Sequence, residues 1–150
     1  MVEVSLRAYR SEDVDAVAEI WHAGASLPGV GPPSLPPRSE FTPRVATHLA
    51  VLCRIVVAER SRLIVGFVAM TPDEQVLAEL FVHTASLGGG IGRRLLDEAK
   101  RAMPGGFTLF TRPTNTRACR FYEANGLRLL RTDTHPRFGD PIVFYGWMPS

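Results

Sequence analysis

Three apolar, β-branched runs, Ile55 to Glu59, Leu63 to Met70 and Val76 to Val82, follow one another with only Arg60-Ser61-Arg62 and Pro72-Asp73-Glu74 as polar breaks. Parallel neighbours need a crossover of about a dozen residues or more, so these runs form an antiparallel meander. The third run then enters Gly88-Gly89-Gly90-Ile91-Gly92, a helical pattern with Leu95, Leu96, Ala99, Ala102 and Met103 on one face, the stop Pro104-Gly105-Gly106 and a fourth run, Phe107 to Thr111. A strand, a helix and a strand in that order make a parallel crossover, and the sheet is therefore mixed.

The flanking segments complete the layout. Val2 to Leu6 reads as a strand, and Ser11, followed by Glu12 and Asp13, as an N-cap opening a helix at about residue 12, with Val14, Val17, Ala18, Trp21 and Ala25 on its inner face. Ser26 to Glu40 holds five prolines and two glycines and is expected to be a binding loop. Thr42-Pro43 reads as the cap and first turn of a second helix, to about Arg54, with Val45, Ala46, Leu49 and Cys53 inward. A last helix, about Asn115 to Ala124, ends at Asn125-Gly126 and precedes the strands Leu127 to Thr132 and Ile142 to Met148. The expected fold class is α/β, a mixed, mostly antiparallel central sheet of about seven strands flanked by four helices, with residues 1–150 as a single domain.

Composition removes several function classes. A net charge of +2 gives no basic excess of the kind that tracks a phosphate backbone, so nucleic acid is not an expected partner. No apolar run is long enough to span a bilayer, and the first residues lack a secretory layout, which makes a cytosolic protein the expectation. Cys53 and Cys119 lie far apart and outside metal-ligand spacings, so no metal is expected.

Four glycines among five residues between a strand and a helix let backbone N–H groups converge at the positive end of a helix dipole, a place for an anion such as a phosphate. The dinucleotide pattern fails at Arg93, and no Gly-Lys-Ser/Thr follows as an ATP loop would require. The stretch Leu87-Gly88-Gly89-Gly90-Ile91-Gly92, followed by Arg93-Arg94-Leu95-Leu96, resembles the acyl-coenzyme A loop of the GNAT superfamily of N-acetyltransferases, Gln/Arg-x-x-Gly-x-Gly/Ala directly after a strand. Leu87 departs from that pattern. The segment Asn115-Thr116-Arg117-Ala118-Cys119-Arg120-Phe121-Tyr122-Glu123-Ala124-Asn125-Gly126-Leu127 resembles the same family's Asn-x-x-Ala-x-x-Phe-Tyr-x-x-x-Gly-Phe.

The resemblance implies the acyl-CoA N-acyltransferase fold, acetyl-coenzyme A as cofactor and a primary amine of a small molecule or peptide as acceptor. It implies backbone pairing of Leu80, Phe81 and Val82 with the pantetheine arm, pyrophosphate contacts from Gly88, Gly89, Gly90, Ile91, Gly92 and Arg93, and a polar contact from Asn115. Tyr122 matches the family's general acid toward the departing thiolate, and Glu79 is the candidate base, with His83 and unassisted attack by a neutral amine as alternatives. The acceptor is expected between Ser26–Glu40 and Asp133–Pro141, which offer Glu40, Asp133 and Asp140 beside Arg38, His135 and Arg137. A homodimer is compatible with the family. The competing readings are a coenzyme A-binding regulatory domain without turnover and a nucleotide-binding module.

Overall fold

The computed structural model describes residues 3–149. Seven strands form one sheet in the order β1-β2-β3-β4-β5-β7-β6: β1 Ser5–Ala8, β2 Arg54–Arg60, β3 Leu63–Thr71, β4 Val76–Val82, β5 Phe107–Thr111, β6 Arg128–Thr134 and β7 Pro141–Trp147. The meander is antiparallel as expected, and β4 and β5 are the parallel pair. Ser61 and Arg62 both take positive φ, 52° and 66°, the mirror-image turn that joins two twisted strands through two residues. Four helices flank the sheet: α1 Val14–Ala25, α2 over residues 41–52, α3 Ile91–Ala102 and α4 Thr116–Ala124.

Each face of the sheet buries its own core. Val17, Ala18 and Ile20 of α1 and Phe41, Val45 and Leu49 of α2 pack on Val57, Phe67 and Ala69. On the other face Ile91, Leu95, Leu96 and Ala99 of α3 and Tyr122 of α4 pack on Val56, Val68, Met70 and Leu109. Among the described residues no helix is long and apolar enough to cross a membrane, and no group of His, Cys, Asp and Glu side chains could hold a metal ion.

Several boundaries differ from the sequence expectation. Val2 lies outside the described residues, and the first strand sits later, where Ser5 to Ala8 pair with Glu59 to Val56. Ser11 makes no capping bond. Asp13 does the work instead, accepting from the Arg10 N–H at 2.8 Å at the end of a 3₁₀ turn, Ser11–Asp13. The second helix begins at Phe41, one residue before Thr42, whose hydroxyl accepts from Arg38 at 3.0 Å and donates to Asp15 at 3.2 Å. Its middle, Val45–Leu49, is π-helical, which places Phe41, Val45 and Leu49 on the core and leaves Ala46 exposed.

Asp13 is the buried charged residue of the described chain, at 5% exposure, and Arg7 of β1 grips it through both nitrogens at 2.8 and 2.9 Å. Arg7 also reaches Glu59 of β2 at 2.9 Å, so one guanidinium ties the edge strand to its neighbour and to the entry of α1. The guanidinium holds the Asp13 carboxyl below its ordinary range. Arg7→Ala would leave that carboxylate buried without its partner and is expected to lower stability by about 2–3 kcal/mol, read from the midpoint of urea denaturation at pH 7.

Candidate active site

The site begins as a gap in the sheet. β4 pairs with β5 through Val76 and Thr108 alone, after which the two strands diverge. Each is held on its far side: β4 is laddered to β3 as far as Val82–Gly66, and β5 to β7 from Phe107–Trp147 to Thr111–Val143. The backbone groups of β4 that face the gap therefore have no strand to bond. Ala78 is a bulge, since Ala69 opposes Glu79 while Met70 opposes Leu77. This extra residue returns Leu80 and Val82 to the α3 face and puts Phe81 on the α1 face, so Glu79, two residues before it, shares the α1 face.

Beyond β4, Gly88 and Gly90 take φ of 87° and 81°, in the left-handed region where side chains are strained. A Cβ at either would meet nothing within 4 Å, so conformation rather than crowding requires glycine there, and the space over the turn is open. The first helical bond of α3 runs from Arg94 N–H to Gly90 carbonyl at 3.1 Å, which leaves the N–H groups of Ile91, Gly92 and Arg93 pointing out of the helix start. The Ile91 side chain is buried, so only its backbone is available. Arg93 lines the groove over the turn, whereas Arg94 reaches back to the Val4 carbonyl.

This groove, about 310 Å³, runs from Leu80, Phe81 and Val82 over Gly88, Gly90 and Gly92 to Phe121 and Tyr122. Asn115 caps α4, its side-chain oxygen accepting from the Ala118 N–H at 3.2 Å. With the oxygen so used, the Asn115 NH₂ is the group left to donate into the groove. An open edge strand, a ring of outward N–H groups and a free amide fit a long polar arm that ends in phosphates.

A second, wider cavity of about 930 Å³ opens on the other side of the wedge, lined by α1, α2, the proline-rich loop, β4, β5 and the β6–β7 connection. The two cavities share Val30, Leu80, Phe81, Asn115, Ala118 and Tyr122. Glu79 lines the wide cavity beside this junction. Burial pushes its carboxyl up to about 7, against the opposing pull of Arg112 and Arg44. Burial and the nearby Glu79 carboxylate raise the Tyr122 phenol well above its ordinary range, so it keeps its proton. No hydrogen bond among the described residues engages the Tyr122 hydroxyl, whereas the Tyr145 hydroxyl donates to Glu123 at 2.5 Å.

The other candidates are placed differently. His83 accepts from the Ala85 N–H at 3.1 Å and lines neither cavity. Arg38 pairs with Glu19 at 2.8 Å, Asp133 lies exposed on β6, and Asp140 is held by Arg112 at 2.5 Å. Sequence reasoning missed Arg112, because nothing local marks an ion pair that joins residues on separate elements. It also missed Gly24: a Cβ there would come within 2.4 Å of the Phe81 ring, so glycine allows α1 to close on β4.

Residues 52–128 match the family model described as an acetyltransferase (GNAT) domain. Solved structures of the same fold include YjaB of Escherichia coli in its apo form, 22% identical over 99% of both chains with a TM-score of 0.78. A streptothricin acetyltransferase from Bacillus anthracis, so named by inference, in complex with acetyl coenzyme A, is 18% identical over 99% of both chains, with a TM-score of 0.75. A ribosomal-protein-alanine N-acetyltransferase from Brucella melitensis is 18% identical over 97% of this chain and 99% of its own, with a TM-score of 0.71. No curated protein matches the sequence. The family match spans just over half of the chain and takes in β4, the glycine turn, α3 and α4, and on it the chain belongs to the GNAT acetyltransferase family.

Proposed function

We propose that the whole chain works as one domain that binds acetyl-coenzyme A in the groove over the glycine turn and transfers the acetyl group to a primary amine entering by the wide cavity. The observation that carries this reading is the meeting of the two cavities at Leu80, Phe81, Asn115, Ala118 and Tyr122. When bound, acetyl-coenzyme A supplies an acetyl group activated as a thioester. The β4 backbone at Leu80, Phe81 and Val82 orients the arm in the manner of an added strand, and the N–H groups at Gly88 to Arg93 hold the phosphates. Leu87 removes a side-chain contact at the edge of the turn and leaves those backbone donors in place.

An amine attacks only when neutral, and at a reference pKa of about 10.4 for lysine roughly one molecule in a thousand is neutral at pH 7. Glu79, poised near neutrality at the floor of the acceptor cavity, takes the proton from the amine. The Tyr122 hydroxyl holds the proton that the departing sulfur takes up.

Thiol release from acetyl-coenzyme A across a panel of amines, with thermal shift by coenzyme A in parallel, tests the reading. Release with one amine class and a rise in Tm are expected. Gly90→Val, which forces a branched side chain into left-handed backbone, is expected to weaken coenzyme A protection about tenfold. Protection without release on any amine would point instead to a regulatory coenzyme A-binding domain, and stronger protection by ATP to a nucleotide module.

A further inference from the structure

The acceptor cavity carries unpaired positive charge. Arg44 enters it from α2 and Arg137 from the β6–β7 connection. Other cations nearby are neutralised, Arg112 by Asp140 and Arg38 by Glu19. Arg44 and Arg137 have no carboxylate partner among the described residues. The first lies over the Phe41 ring at 5.8 Å and the second over the Phe138 ring at 5.4 Å.

Two carboxylates line the same cavity, Glu40 at its exposed rim and Glu79 at its floor. Glu79 faces the amine in this reading, and neither it nor Glu40 forms an ion pair with Arg44 or Arg137. A guanidinium stacked on an aromatic face is oriented, and its planar fork of donors matches a planar carboxylate. The cavity is also lined by the aromatic rings of Trp21, Phe41, Phe110 and Phe138.

We propose that the acceptor is a primary amine that itself bears a carboxylate on an apolar or aromatic body, the chemistry of a free amino acid with an apolar side chain. Arg44 and Arg137 hold the carboxylate while the amine reaches Glu79. The inference rests on the acetyl-transfer reading and narrows its substrate. In the transfer, the amine enters in its neutral form, its nitrogen forms a bond to the acetyl carbon as the carbon–sulfur bond breaks, the proton the nitrogen sheds passes to Glu79, the thiolate takes the Tyr122 proton, and solvent carries a proton from Glu79 back to Tyr122.

The test compares phenylalanine with phenethylamine, and leucine with isopentylamine, by thiol release with the full chain, rates being expressed per neutral amine. The carboxylated member of each pair is expected to have a kcat/KM about tenfold or more higher. Arg44→Gln and Arg137→Gln should each raise KM for phenylalanine several-fold with a smaller effect on kcat, and Lys at either position should recover part of the loss. Equal or better turnover of the decarboxylated amines overturns the inference and leaves the transferase reading standing. Should none of the four amines release thiol, their thermal shifts in the presence of coenzyme A decide. Protection by the amino acids alone supports the inference, and equal or absent protection overturns it. Coenzyme A failing to protect at all would instead overturn the transferase reading, which is read separately.

Discussion

Tyr122→Phe is expected to lower kcat about a hundredfold or more, while coenzyme A still raises Tm and the fold keeps its stability. The ring of Tyr122 is part of the core, 5.4 Å from Phe121 and 6.0 Å from Tyr145 between centroids, and phenylalanine preserves that packing. Tyr122 lines both cavities and its hydroxyl bonds to no described side chain, so the substitution removes the proposed proton donor and leaves no orphaned partner. Because burial and Glu79 hold the phenol above its ordinary range, the native enzyme should show no loss of activity from this group up to about pH 10. Steady-state thiol release at saturating acceptor is the measurement. An unchanged kcat would remove Tyr122 from the chemistry and leave it a core residue.

Much of this architecture is legible in the sequence because local chemistry dictates it. Two three-residue polar breaks force the meander, and the stop at Pro104-Gly105-Gly106 separates α3 from β5. The turn at Gly88 and Gly90 needs positive φ, which glycine alone adopts without strain. Other features depend on partners distant in the chain. The bulge at Ala78 decides which face Glu79 occupies, and it is visible only in the register with β3. Asp13 looks like an ordinary first-turn acid until Arg7 is seen closing on it from β1. Asp140 looks like a free acid for a cationic acceptor until Arg112 is found on it, and that pairing leaves Arg44 and Arg137, among the described residues, as the cavity's guanidiniums without an ion pair. Electrostatic character is a sum over elements, so it is the part of the site that sequence spacing conveys least.

Glu79→Gln is expected to remove the acid limb of the pH–rate profile and, at the same time, to make the protein more stable. With its carboxyl pushed up to about 7, Glu79 is protonated and unable to accept a proton in mildly acidic solution, so native kcat/KM, expressed per neutral amine, should fall about tenfold per pH unit below 7. The glutamine variant cannot titrate there and, on the same per-neutral-amine scale, should be slow and flat, with kcat reduced about a hundredfold. Stability moves the other way. A carboxyl whose folded pKa lies above its unfolded value stabilises the fold fully below the unfolded pKa, and that contribution is lost as pH rises through the folded one. For Glu79 the window runs from 4.5 to about 7. Above it the native fold carries a charge that burial disfavours, at a cost of about 2 kcal/mol after allowing for the solvated mouth of the cavity. Glutamine never bears that charge, so the variant should be more stable than the native protein at pH 8 and equal to it near pH 4.5, in urea denaturation at each pH. A native protein equally stable at both pH values, with an acid limb retained in the variant, would show that Glu79 is neither strained by its burial nor the base. Seen together, lower activity and higher stability in one substitution would mark a carboxylate that the fold keeps in an unfavourable place because the amine needs it there.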